Sequence, residues 1–276
     1  MNMVSIGESC VDLYTKQERV FAGGISLNFA LHAKESGADS VSLVSRTGDD
    51  PERGQLVGLL ESRDINTSHV QRLIGQTANC EIALAENGER YYPSGGYKRG
   101  VLNDFVLTDQ EWDFIESQDV IVSMFDHSHP FPFLGDLLGR PMRGKKVMDF
   151  GDWDDGRGDH RLVWPFLHRL DLAFVSGTEE TIAAFSEYSR DIDGILVVTM
   201  GPMGSAAVHK GRITSAAAQT VQPVVDTTGC GDAFQAAFTV SYLRKGDISE
   251  ALDAGSAKGA EVASYLGAFK SQIFNY

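Results

Sequence analysis

Cysteine is scarce: the chain has 276 residues and three cysteines, Cys10, Cys80 and Cys230, an odd number without metal-ligand spacing. That pattern argues against a disulfide framework and a structural zinc site, and suits free thiols in a reducing cytoplasm. No apolar run approaches the roughly 20 residues of a membrane span. The start, Met1-Asn-Met-Val-Ser-Ile6, lacks the basic stretch that opens a signal peptide. Positive charge is short as well, with 24 Lys and Arg against 38 Asp and Glu and a net charge of −14. That balance excludes a basic face following a nucleic-acid backbone and disfavours anionic membranes, but allows an anionic ligand at a local positive site. The chain has no internal repeat and no low-complexity segment.

What remains is an ordinary globular composition, 42% hydrophobic and 22% charged, long enough to bury a sizeable core. Apolar strands alternate with helical patterns. Val4–Ile6, Ser40–Val44, Asp119–Met124, Lys145–Phe150, Leu172–Val175 and Gly194–Thr199 read as strands, with Ser205–Val208 beside the last. Helices are predicted from Ile25 to Gly37, after Pro51, and over Asp109–Glu116, Glu179–Tyr188 and about Ser249–Tyr265. Arg46–Pro51 reads as loop. This rhythm predicts an α/β fold with a mainly parallel sheet covered on both faces, and ligands at the carboxyl ends of its strands. The texture changes at Asn79–Ala85 and Glu89–Tyr92, alternating runs around Asn87-Gly88 that signal an antiparallel hairpin. The expected organisation is one domain over 1–276, with a discontinuous β lid from about 9–22 and 77–103.

Polar or glycine-rich turns follow the apolar strands: Gly7–Asp12, Met124–His129, Asp149–Asp152, Ser176–Glu179 and Thr199–Gly204. Each alone reads as a plain βα loop; together they argue for a ligand cleft. The most informative stretch is Asp226-Thr-Thr-Gly-Cys-Gly-Asp-Ala-Phe234, which leads into an apolar helical run. A glycine-rich helix start offers unpaired N–H groups and the positive end of the helix dipole to an anion. Asp232 would repel a bound phosphate there, and makes most sense as a base beside a phosphoryl group that reacts. The plainer alternative is an N-terminal helix turn with an ordinary Asp.

Gly23-Gly24 with Asn28, Thr199-Met-Gly-Pro-Met-Gly-Ser205 and Asp226-Thr-Thr-Gly-Cys-Gly-Asp232 resemble, in order and spacing, the signatures of the ribokinase-like (PfkB) sugar kinases across essentially the whole chain. The resemblance implies a three-layer sandwich with a small antiparallel β lid, and transfer of the γ-phosphoryl of ATP to a sugar hydroxyl. It implies that Asp232 is the base and that the N–H groups of Gly229, Cys230 and Gly231 form the anion hole. It further implies nucleotide contacts at Thr199, Gly201 and Gly204, and Mg²⁺ linked through water to Glu179, with Ser176 standing where relatives carry Asn. Asp226 and Thr228 match the positions that hold a monovalent cation such as K⁺, largely by carbonyl oxygens. Asp12, Gly23, Gly24 and Asn28 match the sugar-binding positions. Relatives often dimerise through the lid, so a homodimer is expected.

Departures matter too. Cys230 stands where alanine is common; a small residue in a small slot is preferred over a low-pKa thiol at a helix start. Gly151 and Trp153 stand where relatives often carry Asn and Arg near the phosphates, so Lys98 or Arg99 of the lid, or Mg²⁺ alone, is expected to supply the positive charge. Asp126-His-Ser-His129 reads equally as pocket lining or solvated loop, and less well as a metal pair; an acidic Asp126 favours an amine-bearing substrate. Ile6–Asp12, Phe21–Gly24, Gly100–Phe105 and Asp149–Asp152 point within the family to fructosamine (fructoselysine-type) 6-kinases and fructokinases, the Asp149 segment toward the former. Competing readings are a kinase for another alcohol such as a nucleoside or vitamin, and a non-catalytic sugar sensor. An NAD-binding fold is disfavoured, because no G-x-G-x-x-G follows the first strand; no Walker P-loop is present either.

Overall fold

The computed structural model describes residues 1–93, 95–126, 130–152 and 164–270. His127, Ser128, His129 and Trp153, named above as candidate site positions, lie outside them. Strand β1 (Asn2–Ile6) is followed by β2 (Cys10–Tyr14) and β3 (Arg19–Gly23), then helix α1 (Ile25–Glu35) and β4 (Ser40–Thr47). Helix α2 (Pro51–Ser62) starts where Asp50 accepts the Arg53 N–H and Pro51 fills a position that needs no donor. Next come β5 (Ile65–Arg72), β6 (Ala78–Glu81), β7 (Ala83–Leu84), β8 (Arg90–Tyr91) and β9 (Tyr97–Lys98). Helix α3 (Asp109–Glu116) begins in a Thr108/Glu111 capping box. The remainder alternates: β10 (Val120–Met124), α4 (Leu134–Gly139), β11 (Lys145–Asp152), α5 (Trp164–Leu167), β12 (Leu172–Ser176), α6 (Glu179–Tyr188) and β13 (Ile195–Thr199). Antiparallel β14 (Ser205–His209) and β15 (Arg212–Ala216) precede α7 (Cys230–Lys245) and α8 (Ile248–Val262).

The main sheet has nine strands in the order β15-β14-β13-β12-β11-β10-β1-β4-β5, parallel from β13 to β5. Neighbouring residues on a strand face opposite sides. Met3, Leu43, Val122, Phe174 and Val197 meet α1, α2, α7 and α8 on one face. Val4, Ile6, Ile121, Val175 and Val198 meet α3, α4, α5 and α6 on the other. Three layers result because each strand is apolar on both sides. Burying one such Val, Leu or Phe contributes about 1.5–3 kcal/mol. Among the described residues no helix is long and apolar enough to cross a membrane.

Two differences from the sequence reading have clear causes. Arg46 was expected in a loop, yet β4 runs on through it to Thr47. Arg46 is buried there, with both guanidinium nitrogens at 2.8 Å from the Glu111 carboxylate and its Cζ 4.3 Å from the Phe105 ring centroid. The lid is also more divided than one hairpin. A four-stranded sheet, β3-β2-β6-β9, holds antiparallel pairs at both edges and a parallel β2–β6 pair between them. The Asn87-Gly88 turn joins a separate two-stranded piece, β7–β8.

Candidate active site

The parallel strands all deliver their carboxyl ends to one edge of the sheet, where α1 and α7 also begin. Gly229 caps α7 at φ +76°, and a Cβ there would collide with Ala268, so only glycine suits the turn. Gly231, by contrast, is ordinary helix, with open space where a Cβ would point. The Cys230 N–H donates to the Thr227 carbonyl at 3.3 Å. The N–H groups of Gly229, Gly231 and Asp232 have no protein acceptor among the described residues, as the start of a helix dictates.

Asp232 stands in that first turn, and its Oδ2 accepts the Asn28 Nδ2–H at 2.7 Å from α1. Burial pushes its carboxyl up to about 7; the Asn28 bond opposes the shift, Asp149 adds to it and Arg90 opposes it. Asp149, within β11 where its register with β12 shifts, accepts the Gly151 N–H at 2.9 Å. Asp12 is buried on β2 with its carboxylate over Gly23, whose missing Cβ makes the room. Burial, then Glu8, raises the Asp12 carboxyl to about 8. Gly24 caps α1 at φ +99°, where a Cβ would strike the Glu8 backbone. Asp12, Gly23, Gly24, Asn28 and Asp232 are therefore assembled in one place from β2, β3, α1 and α7.

Asp226 has a structural task. Its buried carboxylate accepts the Tyr14 phenol at 2.6 Å, the Gly267 N–H at 2.8 Å and the Thr228 N–H at 2.8 Å. This clamps the motif loop to β2 and to the turn beyond α8. Farther along the sheet edge, the Ser176 and Thr199 hydroxyls lie 3.5 Å apart, and the Thr199 carbonyl accepts the Gly177 N–H. Gly201 and Gly204 turn at φ +56° and +103°. Glu179 is exposed in the first turn of α6, with no hydrogen bond or ion pair to the Asp232 group among the described residues.

Sequence reasoning passed over several contributors. Glu8 caps α1, its Oε2 accepting the Ile25 N–H at 3.2 Å, and it hydrogen-bonds Tyr97 of β9; burial, with a contribution from Asp126, raises its carboxyl. The Gly7–Asp12 turn was a signal for it. Tyr14 carried none. Arg99, a candidate for the missing positive charge, lies 3.5 Å from Asp126 and over the Phe131 ring. Lys98 is exposed. Among the described residues, Arg90 of β8 is a cation that acts on Asp232.

The low-pKa reading of Cys230 fails: burial pushes its thiol up to about 12, and Sγ faces the Asp226 carbonyl at 3.9 Å. Burial outweighs the lowering influence of Arg90, and Asp226 and Asp232 add to the rise. Cys230→Ala is expected to keep kcat within about threefold, and the native thiol to react slowly with iodoacetamide at pH 8, since only the thiolate is nucleophilic. Rapid labelling that abolishes turnover, prevented by ATP, would overturn this assignment.

The profile of the pfkB family carbohydrate kinases matches residues 167–273. Fructoselysine 6-kinase of Shigella flexneri is 28% identical over 97% of this chain and 99% of its own. The ATP-dependent ribose-1-phosphate kinase of Halopiger xanaduensis is 32% identical over 92% of this chain and 84% of its own. The structure of Arabidopsis thaliana ribokinase complexed with ribose and ATP superposes with a TM-score of 0.76 at 17% identity, covering 96% of this chain and 93% of that one, and so shares the fold. The chain belongs to the pfkB carbohydrate kinase family and is a sugar phosphotransferase.

Proposed function

We propose that this kinase transfers the γ-phosphoryl of ATP to a hydroxyl of a ketose carrying an amine-derived group, a fructosamine-type sugar, with Asp232 as the base. The observation that carries the reading is the Asn28–Asp232 pair beside the unpaired N–H groups at the start of α7. A hydroxyl is a poor nucleophile until its proton is leaving. A carboxyl raised to about 7 is a base matched to neutral pH. Asp232 takes the proton, the hydroxyl oxygen bonds the γ-phosphorus, and the bond to the β–γ bridging oxygen breaks to release ADP. The Gly229 and Gly231 N–H groups and the α7 dipole face the charge on the transferring oxygens, with Cys230 contributing a donor shared with Thr227.

The sugar end suits this substrate. Asn28 offers donor and acceptor to vicinal hydroxyls, and Asp12 takes part as acid or carboxylate near pH 8. Burial raises the Glu8 and Asp12 carboxyls, and a protonated amine bound beside them and Asp126 would favour their ionised forms, which suits an amine-bearing substrate. Fructoselysine 6-kinase among the relatives points the same way. Thr199, Gly201, Gly204 and Ser176 would line the nucleotide side. Mg²⁺ keeps most of its waters and binds phosphates plus one or two carboxylates, and exposed Glu179 fits a water-mediated contact to it. A monovalent cation at Asp226 and Thr228 would have to use carbonyl oxygens, because the Asp226 carboxylate already accepts three donors.

A coupled ADP-release assay over fructose, fructosamines, ribose and nucleosides tests the substrate. The expected order puts a fructosamine first, at least about tenfold above fructose in kcat/KM, the size that about 1.4 kcal/mol of differential binding gives. A nucleoside or ribose preferred over every ketose would overturn the assignment.

A further inference from the structure

We propose that Arg90, carried on the β7–β8 hairpin of the lid, contacts the transferring phosphoryl group and supplies positive charge to it. The inference rests on the phosphoryl-transfer reading above and names a residue that reading lacks.

The hairpin is bolted to the motif loop through Thr227. The Thr227 N–H donates to the Gly88 carbonyl at 3.1 Å, and its Oγ1 accepts the Arg90 N–H at 3.0 Å while donating to Glu89 at 3.0 Å. Gly88 itself lies so close to Val224 that a Cβ would meet its carbonyl at 2.7 Å. These contacts aim the Arg90 side chain. Its Nη1 lies 3.4 Å from the Thr227 carbonyl, the same oxygen that takes the Cys230 N–H at 3.3 Å. Two donors on one oxygen are neighbours, so the guanidinium sits beside the helix start that faces the phosphoryl. Tyr92 steadies it, accepting Nε–H at 2.9 Å.

The chemistry demands such a group. Asp232 and Asp149 already crowd this edge, Glu8 adds to the negative field, and a triphosphate brings more negative charge. Arg99 is turned to Asp126 and Lys98 to solvent. A guanidinium has five donors in a planar fork, which lets it bridge protein and phosphoryl oxygens at once. Placed on a lid rather than on the sheet, it arrives only when the hairpin docks on Thr227, so docking and catalysis are linked.

The test uses full-length Arg90→Ala and Arg90→Lys. Arg90→Ala is expected to lower kcat about 10²–10³-fold with the sugar KM little changed. Because Arg90 also holds the Asp232 carboxyl down, the acid limb of kcat/KM should move to higher pH. Added guanidinium should restore part of the Arg90→Ala rate, and Arg90→Lys, with charge but no fork, should fall between. ADP with aluminium fluoride, measured by calorimetry, should bind Arg90→Ala at least about 100-fold more weakly, with ADP alone unchanged, since such analogues report transition-state contacts. Rates within threefold of wild type, or equal losses for ADP with and without the fluoride, would overturn the proposal. Should Arg90→Ala fail to fold, Arg90→Lys with the same two readouts decides. A wild type inert with every sugar sinks the phosphoryl-transfer reading, whereas the aluminium fluoride comparison still judges Arg90.

Discussion

Asp232→Asn is expected to lower kcat by about 10²–10⁴-fold, the range a positioned general base contributes, without loss of folding stability. Asn keeps the size of the side chain and an oxygen for the Asn28 bond, but cannot accept the substrate proton. In the wild type kcat/KM should climb as pH rises through about 7, where Asp232 ionises, and that limb should disappear from the residual activity of the variant. Stability should show the opposite side of the same physics. The folded carboxyl sits above the usual carboxylate value because burial disfavours its charge. Folding therefore loses stability as pH rises from about 4, where the unfolded group ionises, to about 7. The variant carries no such charge. At pH 7.5 it should melt no lower than the wild type, and the difference should fade toward pH 4. A fall in rate of only a few fold would remove Asp232 from the role of base, and a markedly lower melting temperature would recast it as a structural carboxylate.

Asp226→Ala should act in the reverse manner, through the fold first. The substitution strands three donors, the Tyr14 phenol and the Gly267 and Thr228 N–H groups, in a site where Tyr14 and Asp226 are both fully buried. Each unsatisfied buried donor costs about 1–3 kcal/mol, so the loss should be at least about 3 kcal/mol. That is a large share of the roughly 5–15 kcal/mol that holds a domain together. At roughly 2–4 °C per kcal/mol, the melting temperature should fall by about 6 °C or more. Activity should fall with it, because the loop ahead of α7 loses its ties to β2 and to the turn after α8. Asp226→Asn, which retains one acceptor oxygen, should recover part of both. Thermal unfolding followed by circular dichroism, with kcat measured well below the transition, separates the two effects. An unchanged melting temperature would mean that water replaces the carboxylate.

Asp226 and Asp232 were equally conspicuous in the sequence, at the two ends of one motif with five residues between them, yet only their surroundings separate a clamp from a base. Other features divide the same way. The main-sheet strands Val120–Met124 and Ile195–Thr199 were legible as apolar runs, because strands buried on both faces need no polar alternation. Strand β5 was not: Ile65-Asn-Thr-Ser-His-Val-Gln-Arg72 lies at the sheet edge, polar on most positions and partly wet. Strand β15, at the other edge, escaped for the same reason. The short α4 and α5 are too brief to show a helical period.

By itself the sequence determined the alternation of strands and helices, the glycine turn at 229 and a carboxylate in the first turn of α7. These follow from local rules: periodicity, the φ that glycine allows and the unpaired donors of a helix start. The tertiary structure decided how those parts behave. It brought Asn28 to Asp232 across 204 residues and Tyr14 to Asp226 across 212, set Glu8 on the start of α1, and laid Arg90 beside the Cys230 N–H. Burial and through-space charge fix the proton affinity of a carboxylate and the reach of a cation, and both depend on neighbours that are remote in the chain.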